Sequence, residues 1–479
     1  MELRKSSYTI SVKLEAEDDK YMLIHGYTGA MDIVTGKVVD YFKNYPLFSK
    51  KEFPFSKPTL ELLISRGYIT TKTVDEEREH VRRFAALLHN SAKNSLKQYM
   101  FLVSYDCNFR CSYCYEGGIS KQGKQWTKKT FTNELIDKAY ETMSEIEPNQ
   151  KMHNSYITLY GGEPFLKENI EIVNYIIKRG VELGYSFHAI TNGHDLDHYE
   201  QILATGAIKH LQITLDGGKE MHETRRYHYQ TGKSFDKIFN NIGLALNNNI
   251  SISVRFNADY KNFEEIKKLR ALFEKAGYSQ KGYFNFHTAI LRGGENDIAK
   301  GGSLQQSQLQ KENIKNEKEN ILYLSREDFN KLHKEAGFDV GHQDYGLYEN
   351  LFSTIKYGNF LRFHSIFCGV QTNLYIFDPY GDIYNCWETV GVKSHILGNY
   401  KEKLTWTEEI KNWQERNIGT TPKCSVCKYA LLCGGGCIAK ALRRGGKLGF
   451  KASYCDNYED IVNLTVNRIY KDWKHQSIQ

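Results

Sequence analysis

The chain has 479 residues, too many for one ordinary hydrophobic core, so two or three domains are expected. It is 41% apolar and 25% charged, without an apolar run near the about 20 residues of a membrane span or a signal-peptide core, which predicts a globular cytoplasmic protein. The formal net charge of +7 is spread without a block of like charges, so neither nucleic acid nor a membrane is indicated as a partner.

Residues 1–75 have the pattern of a small α+β domain. Apolar and polar residues alternate in the first predicted strand, and Gly67 stands where a helix would end. Residues 76–97 are charged with helical periodicity and predict a linker helix. The predicted elements of the domain are strands at 8–14, 21–29 and 68–71 and helices at 38–44 and 59–65.

Residues 98–300 alternate between predicted strands and helices. Such alternation predicts a parallel sheet or an α/β barrel, with functional groups at the carboxyl ends of the strands. The predicted strands lie at 99–105, 156–160, 186–190, 210–215, 251–257 and 283–288, with helices such as 170–183 and 235–247. Residues 301–346 are polar and predict a linker or insertion, and 347–479 form a cysteine-rich C-terminal region.

The ten cysteines fall into separate groups, with none between Cys114 and Cys368. Disulfides are not expected in a reducing compartment, so the groups indicate metal sites or clusters. Cys107, Cys111 and Cys114 form a C-x3-C-x2-C motif directly after a strand. Three thiolates can hold three irons of a [4Fe–4S] cluster and leave the fourth iron open to a small molecule. A structural zinc site is the alternative, although no fourth Cys or His lies nearby in the sequence.

This spacing, with the aromatic Tyr113 before the last cysteine, resembles the radical S-adenosylmethionine (SAM) superfamily. The resemblance implies a partial (β/α)6 barrel with SAM bound at the open iron. Segments after later strands resemble the family's GGE, TNG and SLDG…HDxxR motifs, with Thr for Ser and Glu for Asp in the last. Arg226, or alternatively Arg225, corresponds to the arginine that would meet the SAM carboxylate. The residues predicted to contact SAM are Tyr113, Gly161, Gly162, Glu163, Asn192, Thr214 and Arg226.

The remaining cysteines resemble the SPASM motif, and zinc is again the alternative. The resemblance implies two auxiliary [4Fe–4S] clusters, which makes three clusters in all. The outer one would be held by Cys424, Cys427, Cys433 and Cys455. The inner one would be held by Cys368, Cys386 and Cys437. Two fully ligated cubanes need eight cysteines and only seven remain, so one iron is predicted to be open to a substrate thiol. It could instead take water or a carboxylate such as Asp378 or Asp382.

The N-terminal domain resembles the winged helix-turn-helix domain of ribosomal-peptide maturases, which receives a leader peptide by strand addition. Sulfatase-maturating enzymes place Asp directly after the second SPASM cysteine, whereas Trp387 and Glu388 follow Cys386 here. The sequence therefore predicts a radical SAM maturase that installs a crosslink, first of all a thioether, in a precursor peptide. An external electron donor such as flavodoxin or ferredoxin is implied.

Three alternatives remain: a carbon–carbon or ether crosslink, a formylglycine-forming sulfatase-type enzyme, and a non-catalytic cluster protein. The sequence assigns no catalytic base.

Overall fold

The structure is a computed structural model that describes residues 2–114, 123–291, 326–335, 344–455 and 457–476. Within these ranges, no helix combines the length and apolar content needed to cross a membrane. The strands are β1 Glu2–Lys5, β2 Thr9–Lys13, β3 Lys20–His25, β4 Met31–Thr35, β5 Leu47–Ser49, β6 Ile69–Thr70, β7 Lys97–Leu102, β8 Phe109–Cys111, β9 His153–Tyr160, β10 Ser186–Thr191, β11 Ile208–Thr214, β12 Arg226–His228, β13 Ser251–Ala258, β14 Phe284–Ile290, β15 Leu374–Phe377, β16 Asp382–Tyr384, β17 Gly398–Asn399 and β18 Thr405–Trp406.

Helices connect most of these strands, and their ends follow ordinary capping rules. Helix α3, for example, begins with a capping box in which Thr73 and Glu76 bond to each other's backbone N–H. The helices are α1 Gly36–Asn44, α2 Lys57–Ser65, α3 Val74–Lys93, α4 Lys124–Thr127, α5 Asn133–Ile146, α6 Ile170–Glu182, α7 Glu200–Ala204, α8 Lys219–Arg225, α9 Phe235–Asn247, α10 Glu265–Lys275, α11 Arg326–Glu335, α12 Leu347–Tyr357, α13 Val370–Asn373, α14 Glu409–Glu415, α15 Ala430–Cys433, α16 Ile438–Gly445 and α17 Tyr458–Gln476.

The chain divides into two compact units, of which the second contains residues 95–341 and 370–411. Its main sheet has the order β14-β13-β11-β10-β9-β7-β15-β16-β17-β18. The seven strands from β14 to β15 are parallel, and the last three continue as antiparallel hairpins. All six strands predicted for the barrel are present in this parallel, barrel-like sheet, which confirms the expected α/β fold.

One face of this sheet is apolar and buried against the helices. In β10, Phe187 and Ala189 are buried in the core that the helices cover, whereas His188 between them is only half-buried on the other face. Helix α9 buries Phe235, Ile238 and Ile242 at helical spacing against the same core. The polar face is therefore left for a functional site, at the strand ends where the sequence motifs lie.

The first unit contains residues 1–94, 342–369 and 412–479. It has two antiparallel sheets, β2-β3-β4 and β5-β1-β6. Helix α17 packs Ile461, Val462 and Val466 against Ile10 and Val12 of the first sheet. Helix α3 packs Val81 and Ala85 into a core shared with Cys424. The N-terminal elements and the C-terminal cysteine segment are therefore built around common cores.

This division differs from the predicted domain boundaries in two places. Residues 370–411 extend the barrel sheet through β15 and its hairpins, although the sequence placed the whole of 347–479 in one region. Helix α11 lies within the predicted linker 301–346, and its Phe329 is fully buried in the barrel core. The other residues of that linker up to 343 lie outside the described part of the chain.

Candidate active site

The first cysteine group lies in the loop that follows β7. Burial raises the pKa of Cys107, and the neighbouring thiols of Cys111 and Cys114 raise it further, which shows that the three sulfurs share one site. The Cys107 Sγ accepts from the backbone N–H of Phe109 at 3.3 Å and from the Asn192 side-chain amide at 3.9 Å. A cysteine binds iron as the thiolate, so occupation of this site by a cluster would release the protons that burial retains.

Within the described ranges, no group of three or more His, Cys, Asp or Glu side chains is arranged to hold a metal ion. A tetrahedral zinc needs its four ligands about 2.0–2.3 Å from one centre. In a cubane each thiolate binds a different iron, so the sulfurs need not converge on one point. The neighbouring thiols therefore suit a cluster better than a single zinc ion.

The predicted GGE segment packs directly against the cysteine loop. Gly161 has φ 137°. A Cβ on Gly161 would lie 2.3 Å from the Ser104 carbonyl oxygen, and one on Gly162 would lie 2.3 Å from the Asp106 carbonyl oxygen. The N–H of Gly162 donates to Ser104 O at 3.0 Å, and that of Glu163 donates to Asp106 O at 2.9 Å. Both glycines are therefore required by the close approach of two backbones.

The Glu163 carboxylate links the GGE and TNG segments. It is 1% exposed, and burial raises its pKa to about 7. It accepts from the Thr191 hydroxyl at 2.6 Å, from Asn192 N at 2.6 Å and from Phe165 N at 2.9 Å. The Asn192 amide in turn donates to Asn108 Oδ1 at 2.8 Å, within the cysteine loop. These contacts hold both motifs beside the cysteines, and contact of Glu163 with SAM remains a prediction.

Tyr113 stands at the centre of a buried polar network. Its hydroxyl donates to Asp216 Oδ2 at 2.5 Å and accepts from Arg226 Nη1 at 2.9 Å and Asn257 Nδ2 at 3.0 Å. Asp216 also accepts from Asn257 N at 3.1 Å. The structure thus brings together two predicted SAM contacts, Tyr113 and Arg226. A third, Thr214, is buried at the carboxyl end of β11.

The adjacent arginines have different surroundings. Arg225 is fully buried, and its guanidinium pairs with Asp259 at 2.7 Å and with Asp216 at 3.4 Å. Arg226 lies beside Tyr113 and the Cys111 thiol. Arg225 therefore has a structural role. Arg226 is the arginine of the pair that lies among the candidate SAM-binding groups.

Other residues of the same motif support the loop. The Asp216 N–H donates to His222 Nδ1 at 3.1 Å, and burial lowers the pKa of that histidine. Glu223 accepts from Ser234 N at 3.0 Å and Phe235 N at 3.3 Å, at the start of α9. The Glu-for-Asp departure noted in the sequence therefore still places a carboxylate at a helix N-terminus.

Four cysteines of the second group form one set in the first unit. Burial raises the pKa of Cys424 to about 11 and that of Cys433 to about 12, and neighbouring thiols add to both shifts. Every pair among Cys424, Cys427, Cys433 and Cys455 interacts in this way. These are the four predicted ligands of the outer cluster, and their proximity fits a cubane.

The residues around this set were not found from the sequence. Arg416 is 3% exposed, and its Nη2 donates to Ala452 O at 2.9 Å. Its guanidinium also interacts electrostatically with Cys424, Cys437 and Cys433. A single arginine without a motif gives no signal in one sequence. The ion pairs of Arg225 were equally invisible, because Asp259 lies far from it in the sequence.

The three predicted inner ligands are distributed over both units. Cys386 follows β16 in the second unit, where its thiol raises the pKa of Tyr160 after the larger effect of burial. Cys368 and Cys437 belong to the first unit. Their assignment to one cluster remains a prediction from the resemblance.

Asp378, a candidate ligand for the open iron, forms hydrogen bonds in and around its own hairpin turn. Its carboxylate accepts from the Tyr105 hydroxyl at 2.8 Å and from Tyr380 N and Asp382 N at 2.9 Å each. Asp382 itself accepts from the Asn399 amide at 2.7 Å. The structure thus gives Asp378 a role in its own hairpin turn.

Comparison with known proteins agrees with this geometry. Residues 101–273 match the model of the Radical SAM superfamily. The chain is 21% identical over 407 residues to a cysteine-type anaerobic sulfatase-maturating enzyme of Clostridium novyi, covering 78% of this chain and 96% of that one. It is 25% identical over 212 residues to the radical SAM cyclopropyl synthase TigE of Paramaledivibacter caminithermalis, covering 40% and 44%.

A solved structure has the same fold. Native anSMEcpe with bound AdoMet and Cp18Cys peptide aligns with a TM-score of 0.53 and 15% identity, over 80% of this chain and 99% of that one. Radical SAM domains imply one [4Fe–4S] cluster and SAM. The three thiols after β7 and the motifs packed around them are suited to both. Residues 101–273 therefore form a radical SAM domain, and relatives of the chain are named as a maturating enzyme and a synthase.

Proposed function

We propose that this enzyme is a peptide maturase that installs a crosslink, most simply a thioether, in a ribosomally made precursor. The observation that carries the proposal is the second cysteine set. The four interacting thiols would supply the ligands of one cubane, which would leave Cys368, Cys386 and Cys437 for a cluster with an open iron. A substrate cysteine thiolate suits such an iron.

The bound cluster and SAM would supply a 5′-deoxyadenosyl radical, which takes a hydrogen atom from a substrate carbon. Cys107, Cys111 and Cys114 would hold that cluster. Arg226 would hold the SAM carboxylate, because its guanidinium lies beside Cys111 and is kept in place by the Tyr113 hydroxyl. Joining sulfur to carbon also releases one proton and one electron, and a cluster held by the C-terminal cysteines would supply an acceptor for that electron.

Leader binding would use the edge of the β2-β3-β4 sheet. In the described part of the chain, β4 pairs as a strand with β3 alone, and Arg66 donates to the Met31 carbonyl oxygen at 3.0 Å, so strand addition would use the rest of its other edge. A cavity of about 600 Å³ adjoins this edge and is lined by Met31, Ile33 and Arg66 together with Leu361 and Trp473. It has room for side chains of the added strand.

The leader proposal is tested by a charge on this edge. Ile33 is 42% exposed, and Ile33→Lys should weaken leader binding at least about tenfold in fluorescence anisotropy. The matched control is Leu87→Lys on α3, where the side chain is 68% exposed. Equal affinity of both variants for the leader would refute binding at β4.

The reaction is tested on short cysteine-containing peptides, taken first from any small reading frame found next to this gene, using mass spectrometry after anaerobic reconstitution. A thioether lowers the mass by two hydrogen atoms and consumes the thiol, so iodoacetamide no longer alkylates that cysteine. A carbon–carbon or ether crosslink gives the same mass, but the thiol is still alkylated. TigE, named as a cyclopropyl synthase, makes this second outcome worth resolving.

Formylglycine formation is the second candidate, since one relative is named a cysteine-type sulfatase-maturating enzyme. It predicts loss of the cysteine sulfur and an aldehyde that hydrazines trap. A sulfatase-derived peptide should be incubated in parallel. Conversion of that peptide alone would overturn the crosslinking proposal.

A further inference from the structure

A two-stranded ribbon covers the first cysteine group. Strands β8 and β12 pair antiparallel, with Cys111 opposite Arg226 and Arg110 opposite Tyr227. Since side chains alternate along a strand, Cys111 and Arg226 share the inner face, and Arg110 and Tyr227 share the outer one. Only one layer of backbone therefore separates the Cys111 thiol from the outer face.

The outer face is basic and aromatic. Arg110 and Lys233 are exposed, and the side chains of Tyr227 and Tyr229 are 39% and 46% exposed. The Arg110 guanidinium lies 5.0 Å from the Tyr229 ring centroid. We refer to Arg110, Tyr227 and Tyr229, together with Lys233 in the turn that follows β12, as the ribbon face. Tyrosine and arginine are the residue types most enriched where proteins bind one another.

Among the residues that the structure describes, the acidic side chains next to β12 are occupied. Residues 226–235 contain no Asp or Glu. Glu223 accepts two backbone N–H groups at the start of α9, and Asp236 pairs with Lys219. The exposed charge of the ribbon face is thus positive.

The ribbon face is also connected to the cysteine loop. Arg110 Nη1 donates to the backbone oxygen of Cys107 at 2.8 Å and to that of Phe109 at 2.7 Å. A protein that contacts Arg110 would be one hydrogen bond away from a residue that is expected to bind iron. This position suits delivery of electrons better than recognition of a peptide.

We propose that the ribbon face is the docking surface for a small acidic one-electron carrier protein. The inference rests on the proposed role of Cys107, Cys111 and Cys114 in holding the cluster. In each cleavage the carrier loses one electron, and the SAM sulfonium–carbon bond breaks to give methionine and the 5′-deoxyadenosyl radical. Transient redox complexes use small interfaces, which a patch of four side chains fits. Opposite charge raises the association rate and makes it dependent on salt.

The test makes the ribbon face negative and leaves Arg110 unchanged. The double variant Tyr227→Glu, Lys233→Glu is mixed with SAM and reduced flavodoxin in a stopped-flow instrument, and flavodoxin oxidation is followed. The association rate should fall roughly tenfold or more at low salt and approach that of the wild type at high salt, because salt screens the repulsion. The matched control is Lys178→Glu, Lys209→Glu, two exposed lysines in α6 and at the start of β11; its rate should stay close to that of the wild type.

Reduction by dithionite distinguishes a loss of docking from damage to the cluster site, because this small reductant needs no docking surface. Formation of 5′-deoxyadenosine with dithionite should be the same in the wild type and both double variants. A flavodoxin rate within twofold of wild type in the ribbon variant would overturn the proposal. So would an equal loss with both reductants, since the ribbon would then act on the cluster site. Neither readout uses a peptide, so failure of the maturase proposal would leave this result interpretable.

Discussion

The two cysteine groups are positioned in different ways. The first group follows a strand of the parallel sheet, and polar side chains from later strand ends surround it, such as Asn192 and Asp216. The second set lies among short turns, where three consecutive glycines, Gly434 to Gly436, all have φ between 70° and 87°. Its main charged neighbour is the buried Arg416.

The two groups are therefore expected to respond differently when a cysteine ligand is lost. The hydrogen bonds that position the first group join one protein group to another. The strand ends would therefore hold these cysteines in place even without iron. The turns of the second set are held by short-range backbone bonds, such as Cys427 N to Cys424 O at 3.0 Å and Gly434 N to Ala430 O at 2.7 Å, and a bound cluster would add links between them. Loss of a ligand should therefore abolish the chemistry in the first group and loosen local structure in the second.

Removing one cysteine from each group gives the largest effect. Cys111→Ala should reduce 5′-deoxyadenosine formation to background, since two thiolates cannot hold the cluster. Cys424→Ala should retain SAM cleavage, lose about four irons and form no crosslinked peptide. Iron analysis and chromatography of 5′-deoxyadenosine check both. Loss of SAM cleavage in Cys424→Ala would show that the two groups are not independent.

Within the first group, the adjacent arginines should separate stability from binding. Arg225→Gln leaves Asp259 and Asp216 buried without their cation, which should cost about 3–5 kcal/mol in the free energy of unfolding. Arg226→Gln should cost less stability but weaken SAM binding about tenfold, as the loss of one charged contact. Urea titration and equilibrium dialysis with SAM give the two quantities. The reverse assignment would place Arg225 in the SAM site.

In the second set, neighbouring glycines provide a matched pair. A Cβ on Gly436 would lie 1.9 Å from the backbone oxygen of Tyr454, next to Cys455. A Cβ on Gly435 would meet nothing closer than 3.5 Å. Gly435→Ala should cost about 1–2 kcal/mol for its left-handed conformation. Gly436→Ala should in addition displace Cys455 and lower the auxiliary iron content. Equal iron content in both variants would contradict the role of Tyr454 in placing that cysteine.

The sequence predicted the barrel strands well because each is a run of apolar residues next to a helix of clear periodicity. Helix α9 was predicted with the same bounds as observed. The sequence pattern did not reveal strands β8 and β12. Each has only three residues, and the two strands lie more than a hundred residues apart in the chain. The sequence pattern also did not reveal that β15 continues the barrel sheet, because a register set by backbone pairing with β7 leaves no local pattern.

For the site, motif spacing identified which residues would gather but not how they would bond. Tyr113 and Arg226 were predicted as SAM contacts, and the structure brings them together through the Tyr113 hydroxyl. Contact of Glu163 with SAM stays a prediction, and the bonds of its carboxylate to Thr191 and Asn192 were not foreseen from the spacing. Such contacts depend on side-chain directions in three dimensions, which a spacing does not encode.

A pH-dependent effect concerns the hairpin that precedes Cys386. Burial raises the pKa of Asp378 from 3.8 to about 7, so the folded chain keeps this proton in a range where the unfolded chain has lost it. The contribution to stability is therefore intact below about pH 4 and lost as pH rises to about 7, by at most about 1.4 kcal/mol per pH unit. Asp378→Asn cannot titrate, so the variant should lose less stability than the wild type over this window.

Urea unfolding at about pH 5 and about pH 8 measures this difference between slopes. Asp75→Asn is the control, because the Asp75 side chain is 88% exposed and its loss should leave the slope unchanged. An Asp378→Asn variant with the slope of the wild type would mean that the carboxylate is ionised in the folded chain. Asp378 would then hold a negative charge beside the hairpin that carries Cys386, and it would again be a candidate ligand for the open iron.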